Sequence, residues 1–296
     1  MGVPKENIMA EPVSYRHTPK PFNNPHGIFI VDFSIDPELL NQYALQVGEQ
    51  SGGFVLTIDH HDSALSKHSD WLVSNRAAEN NLFIFDNNYS GAGLCYALFY
   101  DSYPDQSVLP DAVADVQDRD LWKFERPNSR EFHLFLLSLK LEDRYSPDYV
   151  SNYFMDGTDS MMQAAYNSAV EIGSSMKSMF DLTVRNIAEE AATGTLIDGE
   201  GNQIKTIFCN VSAYMFISDT ADHIIKYELL RSDEPFVVML YNVAKDGAIK
   251  LSFRSADGKS NGLAKRFAEL FGGGGHPNSG GAYTTLERLA ELLPKD

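Results

Sequence analysis

The apolar positions of this chain fall into short continuous runs that are separated by segments with helical spacing. The clearest run is Gly27-Ile28-Phe29-Ile30-Val31-Asp32-Phe33-Ser34, which stays apolar until Asp32. A second run, Phe54-Val55-Leu56-Thr57-Ile58, ends abruptly in Asp59-His60-His61. Runs this apolar are typical of strands that are buried in a parallel sheet. Their polar ends should therefore lie at the carboxyl edge of the sheet, where open α/β sheets bind ligands.

The segment between the two runs predicts a helix from Pro37 to about Gln50. Proline is in the first turn of this segment, and Gly52-Gly53 follows its end. The β-α-β spacing makes the two strands parallel neighbours. Asp32 and Asp59-His60-His61 should then meet at the same edge of the sheet.

The pattern predicts four further features before the middle of the chain. They are a first short strand at residues 7–15, a strand at residues 82–85, a helix that begins after Ser90 and runs through Tyr100, and a helix at residues 111–122. Ser90 is expected to cap its helix, with direct contact to a phosphate as the alternative. The helix at residues 111–122 finishes in the acidic cluster Asp115, Asp118 and Asp120, and such a charge run is usually a solvated face.

The second half of the chain begins with a long helical pattern, residues 146–192, whose Met-rich stripe is typical of packing. Beyond it, strands are predicted at residues 203–211, 236–243 and 248–254, with helices that end near Leu230 and Phe271. We therefore expect an α/β protein with three parts: a parallel-sheet domain at residues 1–145, a helical connector at 146–193 and a smaller α/β domain at 194–296.

Composition limits the classes of partner. Hydrophobic residues make up 43% of the 296 residues, which is enough for sizeable cores. Cys95 and Cys209 form neither a disulfide framework nor a zinc cluster, and neither a signal peptide nor a membrane-length apolar stretch is apparent. We expect a soluble, cytoplasmic protein. A net charge of −17 argues against binding to long duplex DNA, so a phosphate-bearing substrate must meet a local cationic site.

Acidic and imidazole side chains recur at the predicted strand and helix ends. Asp32, the triple Asp59-His60-His61, and Asp118 combine carboxylate and imidazole groups, which suit manganese, magnesium or zinc. Such ions clamp a phosphoryl group and activate water. The pattern favours a metal-dependent phosphoesterase. The alternative is a chance triple, in which a buried histidine only bonds to the backbone.

A second candidate site is the run Gly272-Gly273-Gly274-Gly275-His276. One glycine is enough to end a helix, so four suggest backbone N–H groups that closely approach an anion. His276 and Arg254, which ends a predicted strand, would add donors. A merely flexible loop is the alternative.

Taken in their order along the chain, these motifs are specific enough to indicate a protein family. Val31-Asp32-Phe33-Ser34, Asp59-His60-His61, Asp118-Arg119-Asp120-Leu121-Trp122 and the C-terminal Gly-Gly-Gly-His resemble the DHH phosphoesterase family with its DHHA1 domain. The resemblance extends over nearly the whole chain. It implies a metal-dependent phosphodiesterase, and therefore a hydrolase.

The resemblance also implies roles for particular residues. Asp32 would bridge two divalent ions, usually manganese, with magnesium as a second choice, and His60 would be a ligand of one ion. His61 would donate to the substrate phosphate, and Asp59 would orient the imidazoles. Asp118 would be a further ligand, chosen over Asp115 or Asp120. The phosphate or terminal nucleotide of the substrate would be held in the second domain by Arg254, Gly273, Gly274, Gly275 and His276.

One family feature is missing from the sequence. The first motif, a His-x-Asp-x-Asp-Gly-like loop, should precede Asp32, and residues 1–32 do not contain it. The chain is therefore expected to begin late and to bind at most one ion, through Asp32, His60 and Asp118. His17 and His26 are weaker candidates for substitute ligands.

The leading function is hydrolysis of short oligonucleotides or small nucleotides, with polyphosphate as a weaker substrate. The rival is a catalytically impaired or truncated family member that only binds nucleotide or phosphate. The oligomeric state stays open.

Overall fold

The computed structural model describes residues 7–9, 11, 13, 25–100, 103–140 and 159–294, except for the side chains of Val108 and Asp159. The chain divides into two compact units, residues 1–173 and 174–296. Of the strand predicted at residues 7–15, residues 7–9, 11 and 13 are described, and none of these five lies in a strand. The candidate ligand His17 and residues 146–158 of the predicted connector lie outside the described residues. The three-part domain division stays a prediction.

The first unit is built on a parallel sheet. Its described strands are β1 (Gly27–Val31), β2 (Phe54–Asp59) and β3 (Asn81–Phe85), in that spatial order. Val31 pairs with Ile58, and Asp59 pairs with Phe85, so the carboxyl ends of the strands are level. The β-α-β arrangement predicted for the first two strands is thus present.

The described helices of the first unit are α1 (Pro37–Ser51), α2 (Asp62–Ser74), α3 (Gly91–Phe99), α4 (Asp111–Asp120), α5 (Ser129–Ser138) and the first part of α6 (Asp159–Glu189). Helices α1 and α3 cover opposite faces of the sheet. Helix α1 packs Leu40 against Val55 on one face, whereas α3 packs Leu94 against Ile58 on the other. Because α1 and α3 bury opposite faces of the same sheet, the strands can be apolar throughout.

Helices α4, α5 and α6 form a further cluster around Phe132 and Tyr166. The Tyr166 hydroxyl donates to the carboxylate of Asp115 at 2.5 Å, and Arg126 forms an ion pair with the same carboxylate. Asp115 is fully buried, so this pairing satisfies a charge that would otherwise destabilise the fold.

The second unit has a larger, mixed sheet. Its described strands are β4 (Ala192–Ile197), β5 (Gln203–Asn210), β6 (Phe236–Val243), β7 (Ile249–Arg254), β8 (Gly274–His276) and β9 (Ser279–Thr284), in the spatial order β4-β5-β6-β7-β9-β8. Only β5 and β6 pair in parallel. The helices are α7 (Ile217–Leu229), α8 (Leu263–Leu270) and α9 (Leu286–Leu292). Helix α7 packs on the face of Val238, and α8 packs on the face of Phe253.

The predicted α/β class is confirmed, with one parallel and one mixed sheet. Besides β8, five described elements escaped the sequence prediction, namely α2, α5, β4, β9 and α9. The alternative of a merely flexible loop for the glycine run is wrong at residues 274–276, which form strand β8. Within the described residues, no helix is both long and apolar enough to span a bilayer.

Candidate metal centre and phosphate site

The ends of β1 and β2 bring four predicted side chains together. Asp59 is the last residue of β2, and Asp32 directly follows β1. The N–H group of Asp32 donates to the carbonyl oxygen of Ile58 at 2.9 Å, which keeps Asp32 beside β2. Asp32, Asp59, His60 and His61 each offer one ligand atom, and these atoms all lie within 4.8 Å of one another. Oxygen and imidazole donors this close form a candidate metal site.

The backbone of Asp32 is strained. Its φ angle of 55° lies in the left-handed region, and a non-glycine residue there costs about 1–3 kcal/mol. Gly91, the first residue of α3, gives the side chain its room, because a Cβ atom on Gly91 would lie 2.3 Å from a carboxylate oxygen of Asp32. Strained residues of this kind cluster at functional sites.

Ser90 caps the helix that begins beside Asp32. Its hydroxyl oxygen accepts a hydrogen bond from the N–H group of Gly93 at 3.1 Å, and the residue is only 1% exposed. The structure therefore shows the capping role rather than the alternative of direct contact with a phosphate.

Asp59 is a buried hydrogen-bond acceptor at the centre of the cluster. One carboxylate oxygen accepts from the N–H group of His60 at 2.7 Å and lies 2.7 Å from Nδ1 of His61. The other accepts from the hydroxyl of Ser34 at 2.6 Å. Burial raises the pKa of Asp59, but the hydrogen bonds with His61 and Ser34 outweigh burial, so the pKa lies below its usual 3.8. Asp59 is therefore ionised and orients both histidines.

His61 responds to the same carboxylates. Burial lowers the pKa of His61, but the hydrogen bond with Asp59 and the charges of Asp59, Asp32 and Asp120 raise it above its usual 6.5. The carboxylate partner of Nδ1 assigns a proton to that nitrogen. Since the side chain is 25% exposed, a protonated His61 can meet an anion at this edge.

His60 lies between two carboxylates. Its Nε2 atom is 3.1 Å from an oxygen of Asp32 and 3.4 Å from an oxygen of Asp120. Asp120 is the last residue of α4, and its side chain remains 45% exposed. Partial desolvation and the negative charge of Asp32 raise the pKa of Asp120, against the opposing charge of His60. Asp120 thus contacts His60, whereas the sequence prediction had chosen Asp118 as the acidic residue of this helix.

Asp118 has a different environment. Its carboxylate accepts hydrogen bonds from the N–H groups of Glu125 at 2.9 Å and Arg126 at 3.3 Å, and the residue is 5% exposed. Two residues along an α-helix are about 200° apart around its axis, so Asp118 and Asp120 point to different sides. Asp118 therefore fixes the chain after α4, whereas Asp120 is the acidic residue of this helix that contacts His60. The sequence signal for Asp120 was the pair of acidic residues, Asp118 and Asp120, at alternate positions at the end of α4.

The loop that Asp118 closes is itself strained. Trp122 and Phe124 have φ angles of 59° and 53°. The guanidinium of Arg119 lies 4.1 Å from the centroid of the Trp122 ring and 5.4 Å from that of Phe124. This stacking and the Asp118 hydrogen bonds hold two unfavourable backbone conformations directly after Asp120.

The donors present fit a hard or borderline divalent cation. Asp32, His60 and Asp120 provide two carboxylates and one imidazole, a set that suits Mn²⁺ or Mg²⁺. Asp59 is less suited to direct ligation, because both of its oxygens already accept hydrogen bonds. The space for the Asp32 carboxylate beside Gly91 supports the same assignment.

The predicted phosphate-binding residues of the second unit lie at one end of its sheet. Arg254 ends β7 and pairs with Ser279 of β9, which in turn pairs with His276 of β8. The guanidinium of Arg254 donates to the hydroxyl of Ser218 in α7 at 3.2 Å and to the carbonyl oxygen of Phe253 at 2.9 Å. Directly opposite residues of antiparallel strands share a face, so Arg254 and His276 project to the same side.

The glycine run has mainly a structural explanation. Gly272 adopts a φ of 74° just after α8, as a helix-ending glycine does. A Cβ atom on Gly273 would lie 1.9 Å from the carbonyl oxygen of Gly281, and one on Gly275 would lie 2.2 Å from that of Ser279. The close approach of β8 to β9 thus requires glycine at both positions. The contact of this run with an anion stays a prediction.

Comparisons with known proteins place the chain among remote relatives. No family model matches it. Uncharacterized protein R106 of Acanthamoeba polyphaga mimivirus is 24% identical over 256 residues, which cover 86% of this chain and 52% of that protein. The chain thus spans about half the length of this curated relative.

Solved structures show distant likenesses. RecJ from Thermus thermophilus in complex with Mn²⁺ matches with a TM-score of 0.44 and 16% identity, over 92% of this chain and 46% of RecJ. The pGpG-specific phosphodiesterase PggH of Vibrio cholerae matches with a TM-score of 0.35 and 10% identity, over 90% of this chain and 95% of PggH. TM-scores and identities this low do not define the chemistry of this chain. Its chemistry is therefore inferred from its own residues.

Proposed function

We propose that the first unit binds a divalent metal ion and hydrolyses phosphoesters. The observation that supports this most directly is the convergence of Asp32 and Asp120 on Nε2 of His60, at 3.1 and 3.4 Å. The negative charge of Asp32 raises the pKa of Asp120, so the two carboxylates repel each other, and a divalent cation bound by them and the imidazole would remove that repulsion. We assign Asp32, His60 and Asp120 as ligands of one ion, Mn²⁺ by preference and Mg²⁺ as the alternative.

When bound, the ion would supply positive charge for the phosphate oxygens and an acidified water for attack on phosphorus. In hydrolysis the water oxygen bonds to phosphorus, the ester P–O bond breaks, and the leaving oxygen takes a proton. Asp59 orients His61 and raises its pKa, and the imidazolium form of His61 would donate a hydrogen bond to a phosphate oxygen as negative charge develops there.

Short oligonucleotides or small nucleotides are the proposed substrates. Arg254 and His276, on one face of the second sheet, would hold a phosphate together with backbone N–H groups of Gly274 and Gly275. The N–H group of Gly273, which the sequence also suggested, already donates to the carbonyl oxygen of Ala268 at 2.9 Å. The net charge of −17 disfavours long duplex DNA, since such a polyanion requires an extended basic surface.

A second candidate is a protein that binds nucleotide or phosphate without turnover. The ligand count favours it, because the described residues supply Asp32, His60 and Asp120 for a single ion. Sites with two ions are the ones that clamp both the attacking and the leaving oxygen.

Incubation with a 5′-phosphorylated RNA dinucleotide and Mn²⁺ tests the proposal, with release of mononucleotide as the readout. The wild-type chain is expected to hydrolyse the dinucleotide, and EDTA should abolish the reaction. His60→Ala should reduce the rate at least about 100-fold, whereas His223→Ala, an exposed histidine of α7, should not change it. Undiminished hydrolysis by His60→Ala would refute the assigned site. Dinucleotide binding without any hydrolysis would favour the second candidate.

A further inference from the structure

A two-residue turn joins strands β8 and β9 directly after His276. His276 pairs with Ser279, so Pro277 and Asn278 alone form the connection. The tight turns that match the twist of a hairpin require a positive φ at one or both central residues. Proline fixes φ at about −65°, and Asn278 is not among the described residues with a positive φ. The turn therefore lacks the twist that would support the hairpin from within.

Strand β8 adds little support of its own. It has three residues, of which two are glycines, and it lies at the edge of the second sheet as far as the structure describes it. Glycine loses more conformational freedom on folding than any other residue. The position of His276, the last residue of β8, therefore depends on contacts that the hairpin makes with the rest of the unit.

Asn278 makes such contacts. Its Oδ1 atom accepts hydrogen bonds from the hydroxyl of Ser255 at 2.9 Å and from the N–H group of Gly262 at 3.2 Å. Its Nδ2 atom donates to a carboxylate oxygen of Asp257 at 2.7 Å. Its carbonyl oxygen accepts from the N–H group of Ser255 at 3.1 Å. One residue of the turn thus bonds to three residues of the segment between β7 and α8.

The same contacts cap helix α8. Gly262 precedes this helix with a φ of 82° and has no side chain that could accept from its first N–H groups. Such groups have no partner within the helix. The N–H group of Ala264 donates to the hydroxyl of Ser255 at 3.2 Å. The N–H group of Lys265 donates to the carbonyl oxygen of Pro277, also at 3.2 Å. The turn, the segment after β7 and the start of α8 are therefore held together.

These hydrogen bonds fix His276 relative to Arg254. Ser255 directly follows Arg254, which ends β7, and Asn278 is two residues beyond His276. Arg254 and His276 both pair with Ser279, one from each side of β9. Ser255 is only 5% exposed, so water competes little for its bonds to Asn278. The two phosphate-binding candidates are thus connected through Ser255 and Asn278.

We infer that Asn278 is a positioning residue of the phosphate site, which holds His276 at a fixed place relative to Arg254. Asn278 is assigned no contact with phosphate, because Oδ1 already accepts two hydrogen bonds and its amide group already donates one. An imidazole and a guanidinium bind one anion well only when other residues preorganise both. This inference rests on the proposed function, because it concerns the phosphate site assigned to Arg254 and His276.

Equilibrium binding of AMP to the full chain in EDTA tests the inference. Asn278→Ala is expected to weaken AMP binding roughly 10-fold, as loss of an outer hydrogen-bond partner does at metal sites. In a His276→Ala background the same change should have almost no further effect, because Asn278 acts through His276. A residue that only stabilised the unit would lower the melting temperature without this dependence on His276.

Asp198→Asn is the matched control for stability. Asp198 follows β4 and accepts hydrogen bonds from Asn202 and Arg266, away from the turn between β8 and β9. Its replacement should lower the melting temperature and leave AMP binding unchanged.

The contact between Asn278 and Asp257 allows a rescue experiment. Asn278→Asp keeps an oxygen for Ser255 and Gly262 but places a carboxylate against Asp257, so it should weaken AMP binding. Adding Asp257→Asn exchanges donor and acceptor across this contact and should restore most of the affinity. If Asn278→Ala does not fold, this exchange decides, and a double variant as weak as Asn278→Asp alone overturns the inference.

Wild-type AMP affinity in Asn278→Ala overturns the inference. So does an equal loss in the His276→Ala background, an equal loss in Asp198→Asn, or a wild-type chain that does not bind AMP. Failure of the proposed hydrolysis would look different, with no turnover in Mn²⁺ but with AMP binding and the effect of Asn278→Ala intact.

Discussion

The Nε2 atom of His60 lies 3.4 Å from a carboxylate oxygen of Asp120, although the two residues belong to different elements. His60 follows strand β2, whereas Asp120 is the last residue of helix α4. The contact depends on how α4 is rotated about its axis, because the neighbouring acidic residue Asp118 points away and bonds to the loop. This pairing identifies the acidic side chain of α4 that shares the site with Asp32.

Asp120→Asn should weaken Mn²⁺ binding by roughly 100-fold, because it removes one charged ligand from the set. Isothermal titration calorimetry measures the change. The matched variant is Asp118→Asn, which should lower stability by about 1–3 kcal/mol through its hydrogen bonds to Glu125 and Arg126, with Mn²⁺ affinity largely retained. A larger loss of Mn²⁺ affinity in Asp118→Asn than in Asp120→Asn would return Asp118 to the ligand set.

Gly91→Ala should weaken Mn²⁺ binding roughly 10- to 100-fold. The added methyl group would lie 2.3 Å from a carboxylate oxygen of Asp32, so this carboxylate has to leave its position beside His60. Gly93→Ala is the control in the same helix, because its methyl group would instead meet Oε1 of Gln117 at 2.0 Å. It should lower the melting temperature and spare Mn²⁺ affinity. Equal Mn²⁺ affinities for the wild type and Gly91→Ala would contradict the role of this space.

Tyr166→Phe should destabilise the first unit by about 1–3 kcal/mol, as measured by urea unfolding. The change removes the hydroxyl that donates to the fully buried Asp115 at 2.5 Å. Burial and Asp115 raise the pKa of Tyr166 to about 12, so the hydroxyl stays a donor at all pH values used for such measurements. Tyr96→Phe, whose ring stacks on Tyr100, should change stability by less than about 0.5 kcal/mol. Similar destabilisation in both variants would argue against a specific role for the Asp115 contact.

The stability of the second unit should depend on pH through Asp198. Burial raises the pKa of this carboxyl, but hydrogen bonds from Asn202, Glu200 and Arg266 outweigh burial, so the folded pKa lies below 3.8. A depressed carboxyl pKa stabilises the fold fully above the unfolded value and loses this effect as pH falls through the folded value. Asp198→Asn should therefore lower the melting temperature at pH 7, and the difference from the wild type should shrink below pH 3.8. A difference that is the same at pH 3 and pH 7 would contradict this assignment.

Local signals were sufficient for the elements of the first sheet. Pro37 after the capping residue Asp36, and Gly52 with its left-handed φ, mark the two ends of α1 where the structure has them. The strands were recognisable because a strand buried on both faces needs only apolar residues, whatever its partners. Once the strands were parallel neighbours, the meeting of Asp32 with Asp59, His60 and His61 followed.

Signals that depend on distant neighbours were missed. Strand β8 consists of two glycines and a histidine, and no propensity predicts a strand there. It exists because β9 lies close enough to pair with it, which in turn demands glycine at positions 273 and 275. Local composition could suggest only that the backbone approaches something closely, and the structure shows that this is another strand.

The sequence by itself determined the class of the fold and the chemical type of the first site, because apolar runs and strand-end carboxylates act through nearest neighbours and strand polarity. Only the tertiary structure decided which acidic residue of α4 contacts His60, why Gly91 stands beside Asp32, and that His276 shares a face with Arg254. Those relationships depend on helix rotation and strand register. Both are settled by the packing of residues far apart in the chain, and no local pattern records them.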